Sequence, residues 1–382
     1  MKILLLTTHI DIGGVGFYIL NLAKGLKKRG IDCFVASAGG GLYKYFQDSG
    51  IPIQLFNMRT KFEFSPKLLP VISRLAKFVS ENKIDIIHAH TRVSQVIGQI
   101  VSSITKTHFV TTCHGFFKAG RISRKLFPCL GERIIAISSA VRNHLIWDFN
   151  VKEENISLIY NGINFEACSK ILTDEEKIRL KTDLGINRNR IIGAIGRLSP
   201  VKGYKYLLTA FNELKKEFSD LKLLIIGEGF YGKKLKKLSS GFSLEKDIIF
   251  LESKIELWKY LSIMDIFAYP SVQEGLGLSL IEAMANGRPC VASSIGGITD
   301  VINHGENGLL VPPNDSHSLS ESVRKLLSDK SLRIKLGSAA KDTVREKFSL
   351  DKMVEETVVF YEDTINDRRR TKDDGRGTMD EG

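Results

Sequence analysis

The chain has 382 residues, 43% of them apolar, which allows two domains with a core each. It carries 55 Lys and Arg against 43 Asp and Glu, a formal net charge of +12. No run approaches the roughly 20 apolar residues that cross a bilayer, and the opening Met-Lys-Ile-Leu-Leu-Leu-Thr-Thr-His is too short for a secretory signal, so a cytoplasmic protein is expected.

In chain order the patterning predicts a strand at 2–7, a helix at 16–29, strands at 31–36 and 51–56, a helix within 66–82 and a strand at 84–89. Further strands follow at 109–112, 133–137 and 156–159. Continuous apolar strands separated by helices indicate a parallel sheet covered on both faces. The pattern restarts at 191–195 and continues through 221–226, 248–251, 266–269, 290–292 and 308–311. Two doubly wound domains are therefore expected, 1–165 and 186–349, with Asn161-Gly162 and the charged run 173–181 interrupting the strands between them. A last helix over 350–366 precedes the mixed-charge residues 367–382, which read as a disordered tail. Ligands bind such sheets outside the carboxyl ends of the strands, and with two domains the expected site is the cleft between them.

The most informative stretch is 270–288, where Glu274 and Glu282 stand eight positions apart around a helix start. Pro270 and Ser271 end a strand, Gly275 and Gly277 loosen the turn, and 278–285 has helical composition with Leu278, Ile281 and Ala285 on one face. Glu282 then lies about two turns along the helix, up to ~12 Å further at 1.5 Å per residue. Carboxylates that far apart are poorly placed to share a proton. They suit two hydroxyl-bearing groups joined by a spacer, with an anion at the helix N-terminus between them.

Other strand ends carry weaker signals. Gly13-Gly14-Val15-Gly16 opens a helix where backbone can approach a phosphate or sugar. A dinucleotide-binding turn is disfavoured, because the second strand ends in Val35-Ala36-Ser37 with no acid for an adenosine ribose. Gly196-Arg197-Leu198-Ser199-Pro200-Val201-Lys202-Gly203 places two permanent cations five residues apart across a turn, an arrangement that clamps a diphosphate. His114, before Gly115, ends another strand, where a lone histidine is more often structural than chemical. Gly227-Glu228-Gly229 makes space for a ligand or forms an ordinary turn, and Ser138 and Ser139 are similarly placed.

Metal and nucleophile motifs are missing from the sequence: it has no Asp-x-Asp triplet, H-E-x-x-H or G-x-S-x-G. Cys33, Cys113, Cys129, Cys168 and Cys290 lack C-x-x-C spacing and read as reduced thiols. Residues 1–170 hold 22 Lys/Arg against 11 Asp/Glu, so this half carries +11 of the +12. Within it, 116–127 interleaves four cations with three Phe and has no acid, and 59–77 is a weaker version. Such a segment fits an anionic membrane or acceptor, or equally a helix covering its own domain.

The stretch 270–288 resembles the Glu-x7-Glu motif of the retaining, GT-B-fold glycosyltransferases of family 4, and the body 2–365 is similar to that family in the order of its motifs. The resemblance implies an α/β GT-B fold with two Rossmann-like domains facing across a cleft, an acceptor-binding domain at 1–165, a nucleotide-sugar-binding domain at 186–349 and a terminal helix returning to the first. It implies that Arg197 and Lys202 neutralise the leaving diphosphate, that Glu274 and His114 meet the transferred sugar and that Glu282 meets the ribose. Gly13, Gly14, Gly196, Gly227, Gly229, Gly275, Leu276, Gly277 and Leu278 would line the donor. The implied reaction moves a sugar with retention from a nucleotide sugar, UDP-linked, to a hydroxyl of a glycan or lipid-linked acceptor in cell-surface polysaccharide or lipopolysaccharide assembly, with no metal or cofactor. The rival readings are a glycosyl phosphorylase or nucleotide-sugar epimerase of the same fold, and a non-catalytic nucleic-acid-binding protein. The last leaves both the Glu274/Glu282 and Arg197/Lys202 sets unexplained, so no nucleic-acid partner is expected.

Overall fold

In the first part of the chain the apolar runs form seven parallel strands: β1 (Lys2–Leu6), β2 (Asp32–Ser37), β3 (Ile53–Leu55), β4 (Ile86–Ala89), β5 (His108–Cys113), β6 (Arg133–Ala136) and β7 (Ile156–Leu158). They are ordered β3-β2-β1-β4-β5-β6-β7 in this computed structural model, which describes residues 1–60, 62–117, 124, 126–186 and 189–374, with side chains to 367. Helices cover both faces of the sheet, so Ile3 to Leu6 are all fully buried and the strands show no polar alternation. The strand order reverses between β1 and β4, which opens a crevice at their carboxyl ends.

A second sheet, β8 (Arg190–Ile195), β9 (Leu221–Ile226), β10 (Ile248–Leu251), β11 (Ile266–Tyr269), β12 (Cys290–Ser293) and β13 (Leu309–Val311), has the order β10-β9-β8-β11-β12-β13. Its core joins Leu223 and Ile225 to Leu207 and Phe211 on one helix and Leu319 and Val323 on another. The same reversal lies between β8 and β11.

The chain divides into two units, Ile163–Ser349 and a second composed of Met1–Gly162 with the chain from Leu350 onward. The helix Leu350–Asp374 thus belongs with the first sheet. Its Met353, Val354, Phe360 and Tyr361 join Tyr18, Leu22 and Leu26 of the helix Gly14–Lys28 in one apolar cluster. A Cβ at Gly25 would lie 2.3 Å from Val354 Cγ2, so the two helices meet at a residue without a side chain.

Two expectations are corrected. Residues 166–185, left between the two expected domains, fall in the second unit together with 163–165 of the expected first domain, and the charged run forms the helix Asp174–Asp183. A capping box starts it, with Thr173 Oγ1 accepting from the Glu176 N–H and the Glu176 carboxylate accepting from the Thr173 N–H. The tail expected from 367 is helical to Asp374, because 367–374 holds Arg, Lys and Asp but no Gly or Pro to stop the helix. Residues 375–382, and 118–123 and 125 of the basic aromatic stretch, lie outside the described residues. Among the described residues no helix is long and apolar enough to cross a membrane. All five cysteines are free.

Candidate functional site

In the second unit two loops meet at the carboxyl ends of β8 and β11. The Val272 N–H donates to the Val201 carbonyl at 2.7 Å, and Ser279 Oγ donates to the Ile195 carbonyl at 3.0 Å. Gly203 makes this approach possible: its φ is +68°, and a Cβ there would lie 1.8 Å from the Pro270 carbonyl oxygen. The two loops bring together side chains 72 positions apart. Lys202 Nζ donates to Tyr269 Oη at 2.8 Å and pairs with Glu274 Oε2, while Tyr269 Oη donates to the same carboxylate oxygen at 2.5 Å. The Lys202 and Glu274 side chains are 19% and 14% exposed, so the pair is poorly screened. Burial, reinforced by the Glu274 charge, holds the Tyr269 phenol well above its usual range and keeps it a donor.

Arg197 lies in the same loop as Lys202, exposed and without a partner among the described residues. The Leu198 N–H donates to the Glu228 carbonyl at 2.8 Å, which docks this loop on the one carrying Gly227 and Gly229. A Cβ at Gly227 would lie 2.0 Å from the Gly196 carbonyl oxygen, and one at Gly229 would lie 2.2 Å from that of Leu198. Contact between protein loops therefore accounts for both glycines, independently of any ligand.

Gly277, with φ +100°, caps the helix Leu278–Ala285, whose first N–H groups have no intrahelical partner. Gly275 and Leu276 are buried ahead of it, and at 1% exposure the Leu276 side chain leaves only backbone to offer a ligand. Leu278 is half-buried at the first helical position. One turn along, Glu282 is half-buried with no hydrogen-bond partner among the described residues, and desolvation raises its pKa to about 7. Asn286, one turn further, is occupied by the carbonyls of Cys168 and Lys170 at 2.9 and 2.7 Å.

The remaining candidates belong to the first unit. Gly13 caps the helix Gly14–Lys28, and nothing lies within 4 Å of where its Cβ would be, so that face is open; Gly14 is exposed. His114 follows β5 at the strand ends, half-buried, within a group of rings the sequence reading did not assemble. His90 Nδ1 and His114 Nε2 are 3.2 Å apart, and the Tyr18 ring packs against both at 5.5 and 4.7 Å between centroids. His88 Nδ1 meets Tyr361 Oη at 2.6 Å and its Nε2 meets Thr112 Oγ1 at 2.7 Å. Burial lowers the pKa of His88 and of His114 to about 3 and that of His90 well below the usual range, so all three rings are neutral. Ser138 is the N-cap of the helix Ser139–Phe149, accepting from the Val141 N–H, and this gives it a structural task. The Gly162 N–H meets Met353 Sδ at 3.1 Å, beside the point where the chain leaves this unit.

Sequence reasoning missed Tyr269, His88 and His90. His88-Ala89-His90 carried a usable signal, since alternate residues of a strand share a face. Tyr269 looked like an ordinary buried strand residue. Among the described residues no group of three or more His, Cys, Asp or Glu is arranged to hold a metal ion.

Two family descriptions match the chain: Glycosyltransferase Family 4 over residues 12–167 and Glycosyl transferases group 1 over 176–343. The chain is 26% identical over 384 residues to N-acetyl-alpha-D-glucosaminyl L-malate synthase of Bacillus anthracis, covering 96% of this chain and 98% of that relative. It is 27% identical over 360 residues to the capsular polysaccharide biosynthesis glycosyltransferase CapM of Staphylococcus aureus, covering 88% of this chain and 91% of that one. Among solved structures, Anabaena HepE in complex with UDP and glucose superposes with a TM-score of 0.85 at 24% identity, covering 94% of this chain and 99% of that chain. Two doubly wound sheets, charged strand-end loops in one and matches to both family descriptions in chain order make this chain a GT-B glycosyltransferase of the family 4, group 1 type.

Proposed function

We propose that the protein moves a sugar from a UDP-linked donor to a hydroxyl of a glycan or lipid-linked acceptor, with retention of anomeric configuration and without a metal ion. The observation that carries this reading is the Lys202–Tyr269–Glu274 cluster beside the unpaired Arg197. A diphosphate reaching Lys202 competes with Glu274 for the ammonium, and the released carboxylate is then free to accept hydrogen bonds from sugar hydroxyls. Arg197 adds a fork of donors, and the free N–H groups of Leu278 and Ser279 at the helix start add partial positive charge. Stabilising the departing diphosphate in this way is the main catalytic work such a site can do. Glu282 takes the ribose and His114 a sugar hydroxyl. HepE, crystallised with UDP and glucose, supports the choice of base, and CapM, named for capsule biosynthesis, supports a cell-surface product.

The first unit takes the acceptor at the cytoplasmic face of the membrane. Phe62, Phe64, Leu126 and Phe127 are 76%, 50%, 68% and 57% exposed, in the half of the chain that holds nearly all the net positive charge. Exposed rings among cations favour an anionic lipid surface.

A thermal-shift panel of UDP, GDP and ADP with their sugar conjugates, with and without EDTA, tests the donor. A ligand at 100 times its Kd should add about 2.7 kcal/mol of stability. Stabilisation by UDP compounds, indifferent to EDTA, is expected, whereas silence from every nucleotide would sink the donor assignment. Retention is read from the anomeric coupling of the product by NMR, and an inverted product would sink that part.

A further inference from the structure

We infer that His90 is a positioning residue that holds His114 in its Nδ1–H tautomer, so that His114 presents a hydrogen-bond donor to an oxygen of a sugar bound at the strand ends of the first unit. This deepens the reading above and rests on it for the identity of the ligand.

The assignment follows from counting ring nitrogens. Both nitrogens of His88 are occupied, by Tyr361 and Thr112. His90 uses Nδ1 on His114, and its Nε2 is buried without any hydrogen-bond partner. A buried N–H left without an acceptor is rarer than a buried acceptor left without a donor. The proton of His90 therefore sits on Nδ1 and is donated to His114 Nε2. A neutral His114 that accepts at Nε2 carries its own proton on Nδ1, and that nitrogen has no partner among the described residues. Both rings are neutral for the reason given above, so no second proton blurs the assignment. Tyr18, packed on the two rings, and the backbone N–H of His90, which donates to the Leu6 carbonyl at 3.0 Å, hold the pair in place.

The test is 15N NMR of histidine-labelled full-length protein without ligand, followed by kinetics of His90→Asn and His90→Leu. In the unaltered protein His114 should show a pyrrole-type Nδ1 and a pyridine-type Nε2. His90→Asn offers an amide N–H close to where Nδ1 stood and should keep that pattern. His90→Leu should lose it and lower kcat/KM for the sugar donor about tenfold, the scale of one net hydrogen bond, with the Asn variant recovering to within about threefold. A pyridine-type Nδ1 on His114 overturns the inference. So does equal loss in the Asn and Leu variants, which would reduce His90 to packing, or unchanged kinetics in His90→Leu. The spectrum needs no ligand, so the tautomer can stand while nucleotide binding fails, and the two readings fall separately.

Discussion

The two sheets share a strand order around their reversal point, β2-β1-β4-β5 in one and β9-β8-β11-β12 in the other, yet their strand ends differ in chemistry. The second unit places permanent charges there, with Lys202 on Glu274 and Arg197 unpaired beside them. In the first unit three neutral imidazoles hydrogen-bond to hydroxyls and to each other. A strand order shared around the reversal point thus leaves the role to the side chains. A charged strand end suits a group whose charge grows as it leaves. A neutral one suits hydroxyls, which are distinguished by direction rather than by charge.

The contrast is broken most severely by removing the free cation. Arg197→Ala should lower turnover about 10²-fold or more, as loss of a charge-stabilising donor does, and a near-normal rate would take Arg197 out of the mechanism. Glu274→Gln should separate the two tasks of the Lys202 pair. With the competing carboxylate neutralised, calorimetry should find UDP bound at least as tightly as before, while transfer from a UDP-sugar falls about tenfold; weaker UDP binding would refute the competition. Glu282→Ala should weaken UDP about fivefold, the scale of a single hydrogen bond.

Glu282 also predicts a pH dependence. Its folded pKa of about 7 lies above the ordinary 4.5, so the folded chain holds this proton longer than the unfolded one. Its contribution to stability is fully present below 4.5 and is lost as pH rises through about 7. UDP affinity should move the other way, strengthening from pH 6 to pH 8 as the carboxylate forms, and Glu282→Gln should flatten that slope. The smallest effect is expected from Tyr361→Phe, which removes one partner of His88. It should cost about 1 kcal/mol in denaturant unfolding and leave UDP affinity unchanged.

Much of the fold was legible because its strands are buried on both faces. An apolar run such as Leu221–Ile226 or Ile266–Tyr269 has no other economical place, and Leu278–Ala285 is framed by glycines. The sheet order and the cross-sheet partnerships were not legible. His90 meets His114 only because β4 and β5 are neighbours, and Tyr269 reaches Lys202 only because β11 lies beside β8. The apolar residues of the terminal helix end at Ile365, so apolar patterning predicts a shorter helix, whereas helix propagation needs only the absence of a breaker.

That terminal helix has a consequence for how the protein is made. The chain leaves the first unit at Gly162 and re-enters it at Leu350, with Ile163 and Ser349 bridged side by side at the crossing. The first sheet to emerge from a ribosome therefore waits for the last helix to be translated before Tyr18, Leu22 and His88 gain their cover. Until then it offers an apolar groove to chaperones. A chain stopped at Ser349 should leave its first 162 residues open to proteolysis while Ile163–Ser349 resists it, and equal resistance in both would contradict this order of assembly.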